Sequence, residues 1–276
     1  MMISIKESMM NTQIETDVIW DSLYGTLIKA FDEELKSDQC LALKVGRNEI
    51  ASKTFTYDTE DEIAVTNVDL KVAEGSKYPI KVPALSQATI DLYKYGRRIP
   101  ITKEMVMFNQ FSMMDFSMRA AGKTMALTKD ALVWAAASSG TGQSETYASP
   151  LGMDIIVNMI EDLEGNGYDG KKFVFHPSLV ADTRRLEELY NPNSGFTDGV
   201  RTKNIGSIYG IDLISTRMVG SDTGYLLDTD NALIFAEAMP LNIETYEEKS
   251  MDLTNIKSSF MGGAGVLRAN AICKLS

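Results

Sequence analysis

The sequence predicts an α+β protein of more than one structural unit, and three observations carry that expectation. Between residues 40 and 100 apolar side chains recur at every second place; from Phe111 to Ala135 the spacing turns to threes and fours; over 151–239 helical and strand-like stretches alternate. A chain of 276 residues has room for two ordinary domains.

Taken in order, residues 17–36 (DVIWDSLYGTLIKAFDEELK) place Ile19, Leu23, Leu27, Ala30, Phe31 and Leu35 on one helical stripe, opposite Asp21, Lys29, Asp32 and Lys36. That stripe must be buried, either on the chain's own domain or on a neighbouring subunit. ALKV, KTFTY, EIAVTNVDLKV, KYPIKV and ATIDLYKYG then read as strands. VAEGSKYPIKVPALSQ, with Gly75, Pro79 and Pro83, reads as an extended hairpin with little core of its own, stabilised only by lying across something else. QATIDLYKYGRRIPITKEM runs from a strand into a helix start and carries Arg97 and Arg98 with no nucleophile or metal ligand beside them.

Phe111, Met114, Met118, Ala121, Met125, Leu132 and Ala135, with Thr128 in the one gap, predict a long helix. The Gly- and Ser-rich stretch SSGTGQSETYASP, Ser138 to Pro150, predicts a boundary. An α/β unit follows: a helix in GMDIIVNMIEDLEGNG, a strand in KKFVFHP, a helix in SLVADTRRLEELYN, a loop in NPNSGFTDGVRTKN, and strands in YGIDLIST, GYLLD and ALIFAE. Past Pro240, LNIETYEE, SMDLTNIKSSF and GVLRANAICKL read as strands that return to complete a sheet in the first half.

Composition removes several classes of function. The balance of 27 basic to 38 acidic residues, net charge −11, has the wrong sign for a broad surface that grips phosphate backbones. No apolar run approaches the ~20 residues a membrane-spanning helix needs. MMISIKESMM lacks the apolar stretch of a secretory signal. Cys40 and Cys273 lie far apart without CxxC spacing, which suits reduced structural thiols in a cytoplasmic setting and opposes a zinc site.

The same holds for catalysis. His176 is the single histidine, at the end of an apolar strand before a proline-led turn, a place where a structural role is the expectation. AAGKTMA contains Gly122, Lys123 and Thr124, but Ser117 stands where a phosphate loop needs its first glycine. Neither GxSxG, GxGxxG nor HExxH occurs, and DTDNA, Asp228 to Ala232, is too short for a calcium loop and reads as a turn between strands. Glu161 with Asp162 and Glu247 with Glu248 read as exposed charges. No catalytic, cofactor-binding or metal-ligating residue is nominated.

The order of N-terminal helix, proline-containing hairpin beginning AEGSKYP, returning strand TIDLYKYGRRIPITKEM, long helix, GTG loop, FVFHP with a helix after it, GSIYGIDLISTRM and NALIFAEAMPLNIE resembles the major capsid proteins of tailed phages and related archaeal viruses, which have the Hong Kong 97-type (HK97-type) fold. The similarity spans roughly residues 15 to 276 in order. It implies an N-terminal arm (1–37), an extended E-loop with flanking strands (38–100), a P domain with a long spine helix (101–150), an α/β A domain (151–239) and return strands of the P domain (240–276). Gln87 to Met105 would then hold a hairpin laid over the adjacent subunit. Lys77, Tyr78, Lys81, Arg97 and Arg98 would make intersubunit contacts, and Phe196 and Arg201 would lie in a loop at the capsomer axis.

The implied function is structural: assembly into pentamers and hexamers of an icosahedral shell around a double-stranded DNA genome, in the virion, after assembly in the host cytoplasm. No cofactor is implied. Separate scaffolding, portal and decoration proteins are the expected partners besides further copies of the chain, and DNA is enclosed without sequence-specific binding. Two departures matter. Many relatives carry a long N-terminal scaffolding region that a protease removes; here the arm starts within the first 37 residues, which implies scaffolding that is a separate protein, already cleaved, or absent. Some relatives weld subunits by a lysine–asparagine isopeptide bond promoted by a glutamate near the C-terminal strand; Lys77, Lys81 and Asn255 can be nominated, but no Asp or Glu follows Asp252, which argues against the bond. The second reading is an encapsulin-like nanocompartment shell, and the third a soluble enzyme using His176 or an unrecognised carboxylate pair.

Overall fold

The computed structural model describes residues 21–60, 74, 85–108, 111–186 and 206–276. A helix α1 over 21–34 leads through a 3-10 turn at Ser37–Gln39 to β1 (Leu43–Val45) and β2 (Thr54–Glu60). Next among the described residues come β3 (Leu85–Asp91), β4 (Tyr93–Thr102), a short α2 (Lys103–Met107) and α3 (Phe111–Ser139). The second half runs β5 (Gln143–Glu145), α4 (Met153–Gly165), β6 (Lys172–Phe175), α5 (Pro177–Thr183), β7 (Ser207–Ile208), β8 (Ile211–Ser215), β9 (Gly224–Leu227), β10 (Leu233–Glu248), β11 (Leu253–Val266) and β12 (Ile272–Leu275).

The described residues form three sheets. One has four strands in the order β1-β10-β11-β4, one has six in the order β5-β12-β9-β6-β8-β7, and the third pairs β2 with β3. The six-stranded sheet is mixed, with β6 parallel to β8 and antiparallel to β9. Phe173, Val174 and Phe175, and all of Gly224–Leu227, are buried, the unbroken apolar pattern of strands covered on both faces. Helix α4 adds Ile156, Met159 and Leu163 to the same core, and Trp134 near the end of α3 stacks on Tyr225 of β9 at 6.4 Å between ring centres.

Helix α3 has 29 residues, about 44 Å at 1.5 Å per residue. Met114, Met118, Ala121 and Met125 are buried as the spacing predicts, but Ala135 is exposed; beyond Met125 the inward line passes through Ala126, Lys129, Asp130, Val133, Trp134 and Ala137. The sequence stripe repeated every seven residues, and a straight helix of 3.6 residues per turn drifts ~20° per heptad from such a repeat. Helix α1 lies on α3: Leu23 and Leu27 share a cluster with Met114, Met118, Ala121, Ile99, Ile101 and Ile256. Of the two expectations for this stripe the intrachain one holds over residues 21–35; Ile19 lies outside the described residues. Gly122 marks the crossing, because a Cβ there would strike the Leu27 carbonyl oxygen and approach the Phe31 amide nitrogen to 3.2 Å. The glycine of the failed phosphate-loop motif serves helix packing.

Two expectations about the C-terminal segments are corrected. β10 is one continuous strand of 16 residues that runs through Pro240, with register shifts between Glu237 and Met239 and between Met239 and Asn242. An irregularity of the ladder is where a residue without an amide hydrogen is accommodated. β10 and β11 do complete a sheet with β4, but β12 joins the six-stranded sheet instead, antiparallel to β9 and parallel to β5. The glycine- and serine-rich stretch after α3, expected to be wholly loop, contributes β5.

Candidate assembly surfaces

The base of the hairpin is a regular antiparallel ladder from Thr54 opposite Asp91 to Glu60 opposite Leu85. Polar cross-strand contacts fix its register: Gln87 Nε2 donates to Asp58 Oδ1 at 3.2 Å, and Thr59 Oγ1 to the Ser86 carbonyl at 2.9 Å. The tip residues Lys77, Tyr78 and Lys81 lie outside the described residues, as do Phe196 and Arg201 of the proposed axial loop.

β4, into which the hairpin returns, is an edge strand of the four-stranded sheet, and Pro100 sits on it where a missing donor is tolerated. Alternation sends its two arginines to opposite sides. Arg97 Nη1 donates to Thr124 Oγ1 on α3 at 2.8 Å. Arg98 Nη1 reaches the Tyr246 hydroxyl at 3.4 Å and Glu248 Oε2 at 3.8 Å on β10. Both side chains are exposed yet each has an intrachain partner, and an exposed pair of this kind contributes ~0–1 kcal/mol. At the far end of β4, Lys103 pairs with Asp252 in the β10–β11 turn, and the Lys103 amide donates to the Asp252 carbonyl at 3.2 Å.

A buried ionic cluster ties the N-terminal segment to this frame. Lys129, 4% exposed, places its ammonium 3.1 Å from Asp38, 3.7 Å from Glu237 and 4.7 Å from the Phe235 ring centre. Beside it the Asp130 carboxylate accepts the amide hydrogens of Ser37 at 2.9 Å and Lys36 at 3.2 Å, capping the turn after α1. Burial raises the Asp130 pKa above the usual carboxylate value despite those hydrogen bonds. For Asp38 burial acts in the same direction, but the Lys44 and Lys129 ammonium groups outweigh it and the net shift is downward.

The side chains considered for chemistry occupy structural places. His176 caps α5: its Nδ1 accepts the Ser178 amide hydrogen at 3.2 Å. Asp228 closes the turn between β9 and β10, accepting from the Asp230 amide at 3.1 Å and Asn231 Nδ2 at 2.7 Å, with Lys171 bound to Asp230. Cys40 and Cys273 are free and buried, and burial first of all pushes each thiol up to about 12. Asn255 is fully buried on β11, where its Nδ2 donates to Glu248 Oε2 at 3.1 Å. A glutamate from the preceding strand thus stands beside Asn255 even though none follows Asp252, but the amide faces the interior. Among the described residues no three His, Cys, Asp or Glu side chains converge as a metal site, and no helix is long and apolar enough to cross a membrane. Large apolar side chains are left exposed just after α2 (Phe108), in the first turns of α3 (Met113, Phe116) and at the β10–β11 turn (Met251).

This fold is shared with virus particles. A structure from Mycobacterium phage Che8 superposes with a TM-score of 0.67 at 13% identity, covering 82% of this chain and 85% of that one. The capsid structure of Cyanophage P-SCSP1u gives 0.68 at 13% identity over 87% of each chain. A virus-like particle from Pyrococcus furiosus gives 0.64 at 11% identity over 93% of this chain and 98% of that one. A search of curated protein sequences found no match. A family model described as phage capsid protein matches residues 86–275, and the chain belongs to that family. It is a structural major capsid protein with the HK97-type fold.

Proposed function

We propose that the chain builds a closed icosahedral shell of pentamers and hexamers around a double-stranded DNA genome, and that it does so without catalysis. The observation that carries this reading is the β2–β3 ladder: seven antiparallel pairs, continuous with the edge strand β4. In the proposed division, residues 1–37 form the arm, 38–100 the E-loop and its strands, 101–150 the P domain with α3 as spine, 151–239 the A domain and 240–276 the return strands, with β10 shared across the last division. Lys77, Tyr78 and Lys81 of the E-loop and Arg97 and Arg98 of its return strand then contact the adjacent subunit, and Phe196 and Arg201 face the capsomer axis.

The net charge of −11 suits a wall that contains DNA without condensing it. Assembly takes place in the host cytoplasm, and separate scaffolding, portal and decoration proteins are the candidate partners besides further copies of the chain. A nanocompartment shell around an enzyme is not favoured, because the matching family model is that of phage capsid proteins.

Replacing 72–86 by a short Gly-Ser turn tests the arm reading. Loss of ~1–2 kcal/mol per interface, repeated over every copy in a closed shell, abolishes assembly at ordinary concentrations. The expected outcome is a cooperative melt close to the parent's with no fast-sedimenting particles. Normal shells overturn the reading, and so does a collapsed monomer, which would make the segment part of the core.

A further inference from the structure

The base of the hairpin is seated on a strip of β11 from which side chains are missing. β4 pairs with β11 only as far as Tyr93 opposite Gly262, whereas β10 continues to Leu233 opposite Val266. Past Gly262 one side of β11 is therefore vacated by β4, and β3 crosses there. Gly263 and Gly265 alternate onto the face that also carries their cross-strand partners Ala236 and Ile234, with Val45 of β1 beyond. Ile90 and Leu92, 4% and 2% exposed, close this face into a separate small core with Val45, Ile234 and Ala236.

The fit leaves no room for a methyl group. A Cβ on Gly263 would lie 2.5 Å from the Asp91 carbonyl oxygen and 2.6 Å from Ile90 Cγ2; one on Gly265 would lie 2.8 Å from Ile90 Cδ1 and 2.8 Å from the Tyr57 hydroxyl. The other strand of the hairpin is pinned as well, since Tyr57 Oη donates to the Val266 carbonyl at 2.7 Å. The sequence MGGAGV is thus matched to two strands of the hairpin at once, while the opposite face of the same segment points into the main core through Ala264 and Phe235.

From this geometry we infer that Gly263, Gly265 and the Tyr57 hydroxyl are positioning residues for assembly: they set the angle at which the β2–β3 ladder leaves the four-stranded sheet, and through it the curvature of the shell. The inference rests on the hairpin being an intersubunit arm. A ladder whose base is clamped on a backbone surface has one direction; a methyl group inserted beneath Ile90 tilts it, and a tilt at the base is amplified along the length of the arm.

The test uses the full-length chain under conditions where the parent assembles, with Gly265→Ala, Gly265→Ala/Ile90→Ala and Tyr57→Phe read by thermal unfolding, sedimentation and particle diameter in electron micrographs. Gly265→Ala is expected to melt cooperatively and to lose parent-size shells, giving no particles or aberrant ones. Ile90→Ala removes the two Ile90 atoms that the new methyl meets and leaves the Tyr57 hydroxyl, which as the far end of a side chain can shift into the space vacated, so the double variant regains parent-size shells, a rescue that general loss of stability does not give. Tyr57→Phe keeps the ring and removes one hydrogen bond, and is expected to raise the concentration needed for assembly by about tenfold or to broaden the particle diameters. If Gly265→Ala fails to fold, Tyr57→Phe alone decides: parent-like assembly by that variant then overturns the inference. Parent-like shells from Gly265→Ala overturn it too, as does a double variant no better than the single one. Replacement of 72–86 separates the two levels: if that change abolishes shells while Gly265→Ala leaves them unaltered, the seat is wrong and the arm stands, and if both form parent-like shells the arm itself is refuted.

Discussion

Asp130 holds the end of α1 in place at a cost that pH reveals. Its carboxylate accepts two backbone amides, one of them buried, while burial keeps its pKa above the ordinary value of 3.8. A folded-state pKa above the unfolded one means that this group's contribution to stability is full below the unfolded value and is lost as pH rises through the folded one. Asp130→Asn keeps an acceptor without the buried charge. It is therefore expected to be at least as stable as the parent at pH 7, with the parent gaining on it as pH falls toward 4. Asp130→Ala strands the Ser37 amide and is expected to lose ~1–3 kcal/mol at both pH values. Urea unfolding of the three proteins at pH 7 and pH 4.5 checks this; an asparagine variant as weak as the alanine one contradicts it. Nothing in the sequence announced this site, because a Lys-Asp pair inside a helical pattern reads as the exposed face. The buried stripe of α3 was legible in its methionines and lost where the charges enter it.

At the scale of elements, the contact of α1 with α3 depends on the absence of a side chain at Gly122. Alanine there places a methyl against the Leu27 carbonyl and the Phe31 backbone, neither of which yields without moving the helix. Overpacking of this kind costs about 1–3 kcal/mol. The expected result for Gly122→Ala is a lower melting temperature together with faster proteolysis within 21–35, while cleavage in α4 is unchanged; unaltered protection of 21–35 contradicts the crossing.

Strands and helices of strong period were legible at this scale: β6 and β9 fall where FVF and GYLL put them, since buried apolar runs leave few alternatives, and the half-buried β8 falls on IDLIS. What escaped were the long-range choices. Pro240 read as an interruption because proline ends most ladders, yet a bulge lets β10 pass through it. β12 was assigned to the wrong sheet because its partners, β5 and β9, are distant in sequence and its own pattern names neither. The glycines of MGGAG carry no hydrophobic signal, so the seat beneath Ile90 became visible only with the fold.

At the scale of the whole molecule, Phe108, Met113, Phe116 and Met251 remain exposed among the described residues, and the edge strand β4 continues from the β2–β3 ladder. The chain belongs to the phage capsid protein family and shares the fold of phage particles, and the proposed meaning of these features is that of a repeating unit whose contacts are made with its own copies. The measurement that tests this most directly is electron cryo-microscopy of the concentrated full-length protein, expressed alone and with any scaffolding protein. Closed shells in which each subunit's hairpin lies on its neighbour, around five- and six-membered rings, are the result expected; a protein that stays monomeric at every concentration and in both expressions would contradict it.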